Sequence, residues 1–562
     1  MKFNEMTYTR PDIDALLARC RELAAKAAAA PDGDALVRLY YEQSEAFAEY
    51  NTAANLANIH YTCDTRDAYW KAEQDFFDAN GPAVTNASVE ISRAFLANPH
   101  VDALTEKFGT TCVAGMKNAV LSMDNRTVEL QQQFNALVSR YQQIYGGALV
   151  ELDGKQLTIP QLGPYKEDLD PAVRRAAYEA EAGYFDAHRD ELDALYTKIV
   201  KNLNRQAQVL GYKDYSELSY LRMGRIDYGP EEVARYRRQV VRDVVPAIAQ
   251  LQARRMKRVE VTDPKFYDLG LYFKDGNPTP HGTPEQLLAW AKQMYHALSP
   301  ETARFIDDMF QRETFDVLSR PGKAQGGYCE TIPGYGPFVF SNFNGTSGDV
   351  DVLTHEAGHA FADFIASQTV AVRALSCPTM EGAETHSMSM EFLTAPWHHL
   401  FFGELTDKYE LSHAEDALLF IPYGCLVDHF QEEVYRHPEM TPEERNQKWL
   451  ELEGRYRPYI NFDGLPFYGR GAGWQRQLHI YLYPFYYIDY CMAQVMSLQF
   501  YALSLEDREK AWEKYMAFVR QGGTKTFVDL AHSVDLRSPI DQGCVKDVCQ
   551  AAFQWTEGHL VE

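Results

Sequence analysis

The sequence predicts a mainly α-helical protein with a small β-sheet in its central part. Apolar residues recur at helical spacing through most of the 562 residues, and two long helical patterns run through 171–210 and 230–259. Only between about 261 and 350 do Gly, Pro, aromatic and β-branched residues become dominant. A chain of this length ordinarily divides into lobes. We expect a helical N-terminal lobe at 1–200 and a second region at 201–562.

Local turn signals predict the short elements. Helices are expected over about 10–145, after which Asp153-Gly154 lies between two short strand-like runs and predicts a β-hairpin at about 148–159. The Phe-Val-Phe run at 338–340 predicts a strand. That strand has two possible roles: an exposed sheet edge that pairs with an extended peptide through main-chain hydrogen bonds, or part of an ordinary structural hairpin.

One long apolar segment, 481–505, requires a choice between a membrane span and a buried helix. Asp489 is its single charged residue, but the segment also contains Pro484 and many tyrosines. These residues make it too polar for a lipid environment. We therefore predict a buried helix.

Net charge and cysteine distribution narrow the class of partner. The 79 acidic residues exceed the 55 basic ones and give a net charge of −24, whereas nucleic-acid surfaces need a basic stripe. We expect no nucleic-acid partner; the acidity serves solubility or forms an acidic cleft that favours cationic peptides.

The nine cysteines are dispersed without a CxxC pair, and the first residues lack an apolar signal-peptide core. Both features predict a cytoplasmic protein with reduced thiols and no membrane partner.

The strongest chemical signal is the run His355-Glu356-Ala357-Gly358-His359. In an α-helix, positions i and i+4 lie on one face, so His355 and His359 can share one zinc ion while Glu356 faces the open side of the metal. Glu356 is then placed to act as a general base. Gly358 is the one residue of the motif that costs helix stability. The alternative is a buried helix whose two histidines are hydrogen-bonded within the protein.

The third metal ligand has to come from another segment, because a catalytic zinc ion usually takes three protein ligands and keeps a fourth position for water. One predicted helix, at 380–391, carries four ligand-type residues: Glu381, Glu384, His386 and Glu391. Spacing alone does not choose among them. Glu384 and Glu391 are seven residues apart and share a face, which permits one ligand and one acceptor behind the ligands. A solvated acidic face is the alternative.

Asp351 lies one helical turn before His355 and has two possible roles. It can fix the tautomer of that histidine by accepting a hydrogen bond. It can equally stabilise the first turn of the helix through the helix dipole. The sequence leaves both roles open.

A tyrosine-rich segment near the C-terminus predicts a second polar face. In a helical interpretation, one face carries His479, Tyr483, Tyr486, Tyr487 and Tyr490. One imidazole and four phenols on a single face can hydrogen-bond the oxyanion that develops when water attacks a peptide carbonyl. The alternative is that these tyrosines pack in the core or at an interface.

Four segments resemble the M3 family of zinc endopeptidases, most closely its oligoendopeptidase F and Pz-peptidase branch. They are HEAGHAF, the following CPTMEGAETHSMSMEF, the preceding NFNGTSGDV, and WQRQLHIYLYPFYYIDY near the C-terminus, and the likeness extends over nearly the whole chain. The resemblance implies that His355, His359 and Glu384 bind one zinc ion per chain. It also implies that Glu356 is the catalytic base and that Glu391 orients a ligand histidine.

The resemblance further implies a fold and an activity. The fold is a two-lobed, zincin-like metallopeptidase with a deep central channel, and the activity is hydrolysis of internal bonds in short unstructured peptides. His479 and Tyr487 are implied as transition-state partners, with Tyr483 and Tyr490 as further candidates and Tyr486 able to replace either. Two alternatives stay open: a metallocarboxypeptidase, which needs a cationic group for the free carboxylate of its substrate, and a catalytically silent peptide-binding protein. The oligomeric state is not predicted.

Overall fold

The computed structural model describes residues 1–559, and it confirms the predicted mainly α-helical fold with small β-sheets. The described residues form 25 α-helices and five β-strands. Many helices begin after an aspartate whose side chain accepts a hydrogen bond from the first turn, as Asp12, Asp32 and Asp67 do. The N-terminal helices are Ile13–Ala28 (α1), Gly33–Ala46 (α2), Ala48–Cys63 (α3), Ala68–Ala97 (α4), Asp102–Phe108 (α5), Thr110–Ser122 (α6) and Val128–Gly146 (α7).

A short antiparallel hairpin follows, and it turns at Asp153 and Gly154, both of which have positive φ. Its strands are Val150–Leu152 (β1) and Lys155–Leu157 (β2). The chain then returns to helices: Gly163–Lys166 (α8), Pro171–Ala187 (α9), Arg189–Leu210 (α10), Tyr215–Arg222 (α11), Pro230–Gln239 (α12), Val245–Arg258 (α13), Pro284–Leu298 (α14) and Pro300–Arg312 (α15).

The second half of the chain begins with three strands and is helical afterwards. The strands are Phe315–Leu318 (β3), Tyr328–Ile332 (β4) and Gly336–Phe343 (β5). The helices are Gly348–Thr369 (α16), Met380–Leu393 (α17), His399–Phe402 (α18), Thr406–Arg436 (α19), Pro442–Tyr456 (α20), Leu478–Leu482 (α21), Tyr487–Glu506 (α22), Arg508–Val519 (α23), Phe527–His532 (α24) and Cys544–Gly558 (α25).

Two hydrophobic cores organise these helices. The smaller core joins α1, α2, α4, α5 and α6 through residues such as Leu23, Leu36 and Phe95, and Val372 and Leu375 from the segment after α16 also enter it. The larger core begins in α7 and continues to α25. The segment after α16 therefore ties the N-terminal helices to the part of the chain that carries the histidine motif. The division of the chain at residue 200 stays a prediction.

The three-stranded sheet has the order β3-β5-β4, with β3 parallel and β4 antiparallel to β5. The predicted strand at 338–340 lies in β5, which is paired on both sides. Of the two roles left open for this strand, the structure excludes the free edge, because its main-chain groups pair with both neighbours, and it supports the structural hairpin with β4. β4 is an edge strand instead, and it lines the main cavity of the protein.

The tyrosine-rich segment does not form the continuous helix that we predicted. α21 ends at Leu482 and α22 begins at Tyr487, because Pro484 interrupts the helical hydrogen bonds and Phe485 adopts a left-handed conformation with φ of 70°. α22 is largely buried, and Asp489 within it pairs with Arg225 at 2.7 Å. Within residues 1–559, the structure contains no helix that is both long enough and apolar enough to span a bilayer.

Helices α16 and α17 approach each other closely at Gly358. A Cβ at this position would lie 2.7 Å from Ser387 Cα and 3.1 Å from the carbonyl oxygen of His386. The glycine that weakens the helix in isolation therefore permits the contact that sets the distance between α16 and α17. Its cost in helix propensity, about 1 kcal/mol, is offset by packing that no larger residue allows.

We expect Gly358→Ala to lower the free energy of unfolding by about 1–3 kcal/mol, because the added methyl group overpacks a backbone contact. Gly183→Ala in α9 is the matched control, since a Cβ there meets no atom within 4 Å. That exposed helical position should gain about 0.5–1 kcal/mol instead. Urea denaturation of both variants measures the difference, and equal stability changes would rule out a packing role for Gly358.

Candidate metal centre

The histidine motif lies in the middle of α16, which a short loop holds against the sheet. Asp349, in the first turn of α16, accepts hydrogen bonds from the backbone nitrogens of Asn344 and Gly345, both at 2.8 Å. These bonds fix the start of α16 relative to the end of β5. Two turns later, His355 and His359 lie on one helix face with ring centroids 5.0 Å apart.

Glu384 in α17 meets both imidazoles. Its Oε2 lies 3.1 Å from His355 Nε2 and 3.3 Å from His359 Nε2. Glu384 is 1% exposed. Although burial opposes ionisation, the two histidines hold the pKa of Glu384 well below its usual range. In the part of the chain that the structure describes, these three residues are the one His, Cys, Asp or Glu group whose ligand atoms all lie within 4.8 Å of one another.

The other three ligand-type residues of α17 lie elsewhere. Glu381 is buried beside Arg225 and Tyr228, and His386 packs against Phe518 at a ring distance of 5.4 Å. Glu391 is one layer behind the histidines. The fold therefore resolves the choice that spacing left open, because only Glu384 brings its carboxylate to both imidazoles.

Glu391 orients His355 from behind and is itself held by a second histidine. His355 Nδ1 donates to Glu391 Oε1 at 2.7 Å, which leaves Nε2 free to face Glu384. His413 Nε2 donates to Glu391 Oε2 at 2.8 Å. Burial lowers the pKa of His413, but the bond to Glu391 and the charge of Asp351 outweigh it and raise the pKa to about 9. His413 lies in α19 without any local motif, so sequence analysis missed it.

Asp351 does not contact His355, contrary to one of its two predicted roles. Its Oδ1 accepts a hydrogen bond of 2.5 Å from the hydroxyl of Tyr409 in α19. Burial raises the pKa of Asp351 to about 7. The side chain points from the first turn of α16 toward α19, so Glu391 rather than Asp351 reaches the ligand histidine.

Glu356 is buried and partly unpaired. It is 6% exposed, and its Oε2 has no hydrogen-bond partner among the described residues. Burial raises the pKa of this carboxyl above its usual value. A Cβ on Gly327 would lie 3.0 Å from Glu356 Oε1, so a glycine at the start of β4 leaves room for this carboxylate. Glu356 is thus a buried proton acceptor at the wall of a cavity.

The cavity beside this carboxylate has a volume of about 1150 Å³. Its lining includes Tyr40 and Thr111 from the N-terminal helices, the edge strand β4, and all three of His355, His359 and Glu384. The candidate site therefore opens into a cavity that is lined both by the N-terminal helices and by the second half of the chain.

His479 and two tyrosines also line the cavity. The Tyr490 hydroxyl lies 3.4 Å from His479 Nε2, and the Tyr486 hydroxyl donates to Glu384 Oε1. Burial lowers the pKa of His479 to about 4, so its imidazole is neutral at pH 7. The Gln477 side-chain amide donates to His479 Nδ1 at 3.1 Å. The ring hydrogen of His479 is therefore on Nε2, on the cavity side.

The other two tyrosines of the predicted face are placed differently. Tyr483 lines the cavity but is 57% exposed. Tyr487 packs against His479 at a ring distance of 5.1 Å, yet it lines a separate cavity of about 330 Å³ together with Tyr423 and Gln477. The helix break before Tyr487 changes the helical phase on which the prediction relied, so Tyr486 rather than Tyr487 reaches the candidate ligands.

The residues present fit a zinc ion. Two imidazole nitrogens and one carboxylate oxygen are a usual donor set for catalytic zinc. Tetrahedral zinc with bonds of 2.0–2.2 Å would place ligand atoms about 3.4 Å apart, close to the 3.1 Å and 3.3 Å from Glu384 to the histidines. Glu356 lines the same cavity as these three residues, and its Oε2 has no hydrogen-bond partner among the described residues.

Comparison with known sequences gives two domain matches that together span most of the chain. Residues 3–123 match the peptidase M3 N-terminal domain, and residues 164–547 match peptidase family M3. An oligoendopeptidase F homolog of Lactococcus lactis subsp. lactis (strain IL1403) is 21% identical over 432 residues. That alignment covers 72% of this chain and 66% of the relative, so it spans slightly less than two thirds of the relative's length.

Solved structures cover the whole fold. The structure of Pz peptidase A with inhibitor 2 is 40% identical and superposes with a TM-score of 0.97, covering 99% of each chain. The oligoendopeptidase F of Enterococcus faecium is 16% identical with a TM-score of 0.61, covering 97% of this chain and 98% of that one. At that identity the second likeness concerns the fold alone.

Proposed function

This chain belongs to peptidase family M3, and we propose on that premise that it is a zinc-dependent oligopeptidase that hydrolyses internal bonds of short unstructured peptides. The observation that carries the proposal is the convergence of three ligand atoms beside a buried, partly unpaired carboxylate in a large cavity. In this proposal His355, His359 and Glu384 hold one zinc ion per chain. Glu391, held by His413, keeps the His355 ring in position.

Glu356 carries the proton in the proposed mechanism. When bound, zinc supplies a Lewis acid for the scissile carbonyl and lowers the pKa of water toward ~7. Glu356 accepts a proton from the attacking water and then donates it to the leaving amine nitrogen. The pKa of Glu356, raised by burial, supports this role, because a higher pKa makes the carboxylate a stronger acceptor for the proton of the attacking water.

His479 and Tyr490 are proposed to stabilise the negative charge that develops on the carbonyl oxygen. His479 offers an Nε2–H because Gln477 occupies its Nδ1, and Tyr490 adds a hydroxyl beside it. Hydrogen-bond donors that are already held in position stabilise a developing oxyanion more than they stabilise the neutral carbonyl. Tyr486 instead holds Glu384 in place through its hydroxyl.

We expect Tyr490→Phe to lower kcat by about 10² with a small change in KM, since the lost hydrogen bond forms mainly in the transition state. Tyr487→Phe is the matched control and should change kcat by less than about threefold, because its ring lines the other cavity. Steady-state kinetics on one quenched peptide tests both variants. A larger fall in kcat for Tyr487→Phe than for Tyr490→Phe would indicate that Tyr487 contacts the reacting atoms.

Substrate size follows from where the site lies. The reacting groups line an internal cavity, and β4 presents an edge strand along its wall. An extended peptide can add to such an edge through main-chain hydrogen bonds, whereas a folded protein cannot enter.

The nine cysteines all lie in the described residues and none is paired, which supports our inference that the protein works in the cytoplasm.

Cleavage of a matched peptide pair tests endopeptidase action. One internally quenched peptide is blocked at both ends, and the other has the same sequence with free ends. We expect cleavage of both at the same internal bond, identified by mass spectrometry. Loss of all activity on the blocked peptide would favour a carboxypeptidase, which needs the free carboxylate of its substrate.

A further inference from the structure

One wall of the main cavity carries a carboxylate with no bonded partner. Glu330 lies in β4 and lines the cavity, and its side chain takes part in no hydrogen bond or ion pair with another described residue. Burial raises the pKa of Glu330 to about 7, and the charge of Arg373 is the one influence that opposes it. A carboxylate in this setting lacks the cation that buried acids normally have.

The charge of Arg373 does not neutralise this wall of the cavity, because two carboxylates share its guanidinium group. Its Nη2 donates to the carbonyl oxygen of Thr331 at 3.2 Å, and its charge also acts on Asp363 of α16. Asp363 lines the same cavity. Two carboxylates therefore share one guanidinium, and the wall keeps an excess of negative charge.

The other basic residues of the cavity lie away from Glu330. Arg222 Nη2 donates to Gln206 Oε1 at 2.7 Å, and its Nε donates to the carbonyl oxygen of Ser122 at 3.3 Å. Lys525 also lines the cavity, and neither Arg222 nor Lys525 forms an ion pair with Glu330. The missing counter-charge therefore does not come from the cavity lining.

The position of Glu330 along β4 sets its distance from the reacting bond. Gly327, the residue just before this strand, lies beside Glu356, since a Cβ on Gly327 would be 3.0 Å from Glu356 Oε1. Glu330 follows three residues later, about 10 Å along the strand at a rise of about 3.3 Å per residue. A peptide paired with β4 has the same rise, so Glu330 faces a group about three residues from the bond that is cut.

We propose that Glu330 is a specificity-determining residue that binds a cationic group of the peptide substrate about three residues from the scissile bond. The group is the ammonium or guanidinium of a Lys or Arg side chain, or the free amino terminus of the peptide. In the cavity such a pair is less screened than on the surface, so it discriminates between charged and neutral peptides. This inference rests on the proposed peptidase function.

A position scan with quenched peptides tests the proposal. Lys and norleucine, which match in length but differ in charge, are exchanged at each of three positions on either side of the bond that is cut, and a further pair compares free and acetylated amino termini. We expect the parent protein to prefer the cationic member of one pair by about tenfold in kcat/KM. Glu330→Gln should bring that ratio to about one and leave the neutral peptide unchanged within about twofold. Glu22→Gln, which removes the same charge from an exposed position of α1, should keep the preference.

A binding measurement separates this inference from the proposed function. Fluorescence anisotropy of the same labelled peptides is measured on zinc-loaded protein carrying Glu356→Gln, with and without Glu330→Gln. If Glu330→Gln removes a preference for Lys-containing peptides in binding, the inference about Glu330 is supported even when no peptide is cleaved. Absence of cleavage would count against the proposed peptidase function alone. A parent protein without any cationic preference, or a preference that survives Glu330→Gln, would overturn the role of Glu330.

Discussion

Replacing Glu356 by Gln is expected to reduce kcat about a thousandfold or more while the protein keeps one zinc ion. The amide occupies the same volume but cannot accept a proton from the attacking water. The candidate zinc ligands should stay in place, because Glu356 Oε2 has no hydrogen-bond partner among the described residues and the contacts of Glu384 with the two histidines do not involve Glu356. Metal analysis and quenched-peptide kinetics on the same preparations measure both quantities.

The result also separates an enzyme from a silent binding protein. A catalytically silent relative would bind peptides equally well with either residue and would show no cleavage in the parent. Full cleavage by Glu356→Gln would remove this residue from the mechanism. Unchanged circular dichroism and thermal stability are the control that the substitution leaves the fold intact.

Replacing Glu384 by Ala is expected to abolish both zinc retention and cleavage. Loss of a residue that only supports a ligand costs metal affinity about 10–100-fold, so loss of a ligand itself costs at least about a hundredfold. The variant also leaves two imidazoles and the Tyr486 hydroxyl without their shared acceptor. Zinc content after dialysis and a competitive zinc titration give the affinity change.

Glu381→Gln is the matched control for this second prediction. Glu381 lies three residues earlier in the same helix and is buried beside Arg225, away from the candidate ligands. We expect this variant to keep zinc and activity. Equal zinc loss in both variants would mean that any change in α17 disrupts the site, and Glu384 would no longer be identified as a ligand.

The parts of the site that depend on local spacing could be predicted from the sequence. His355, Glu356 and His359 needed only the periodicity of one helix. Spacing left the choice among the ligand-type residues of α17 open, and the roles of Glu384 and Glu391 were expected from the family resemblance. His413 could not be found, because its link to Glu391 depends on how α19 packs and no local pattern marks it. The same holds for Tyr409, which takes the side chain of Asp351 away from its predicted partner.

The errors have specific physical causes. The tyrosine face was drawn on a continuous helix, but Pro484 and the left-handed Phe485 break that helix, so Tyr486 bonds Glu384 while Tyr487 lines the smaller cavity. The strand at 338–340 was correctly expected, whereas its central position in the sheet depends on β3 and β4, which the sequence pattern did not order. Gly358 was read as a weakness of the helix because its close neighbours belong to α17.

The central claim is that one zinc ion held by α16 and α17, together with Glu356, cuts internal peptide bonds. The most direct test is to titrate zinc into metal-free protein while following cleavage of a peptide blocked at both ends. We expect activity to rise in proportion to bound zinc and to saturate at one ion per chain, with Glu356→Gln binding the same ion without cleavage. Internal cleavage by the metal-free protein, or zinc-restored cleavage by Glu356→Gln, would contradict the account.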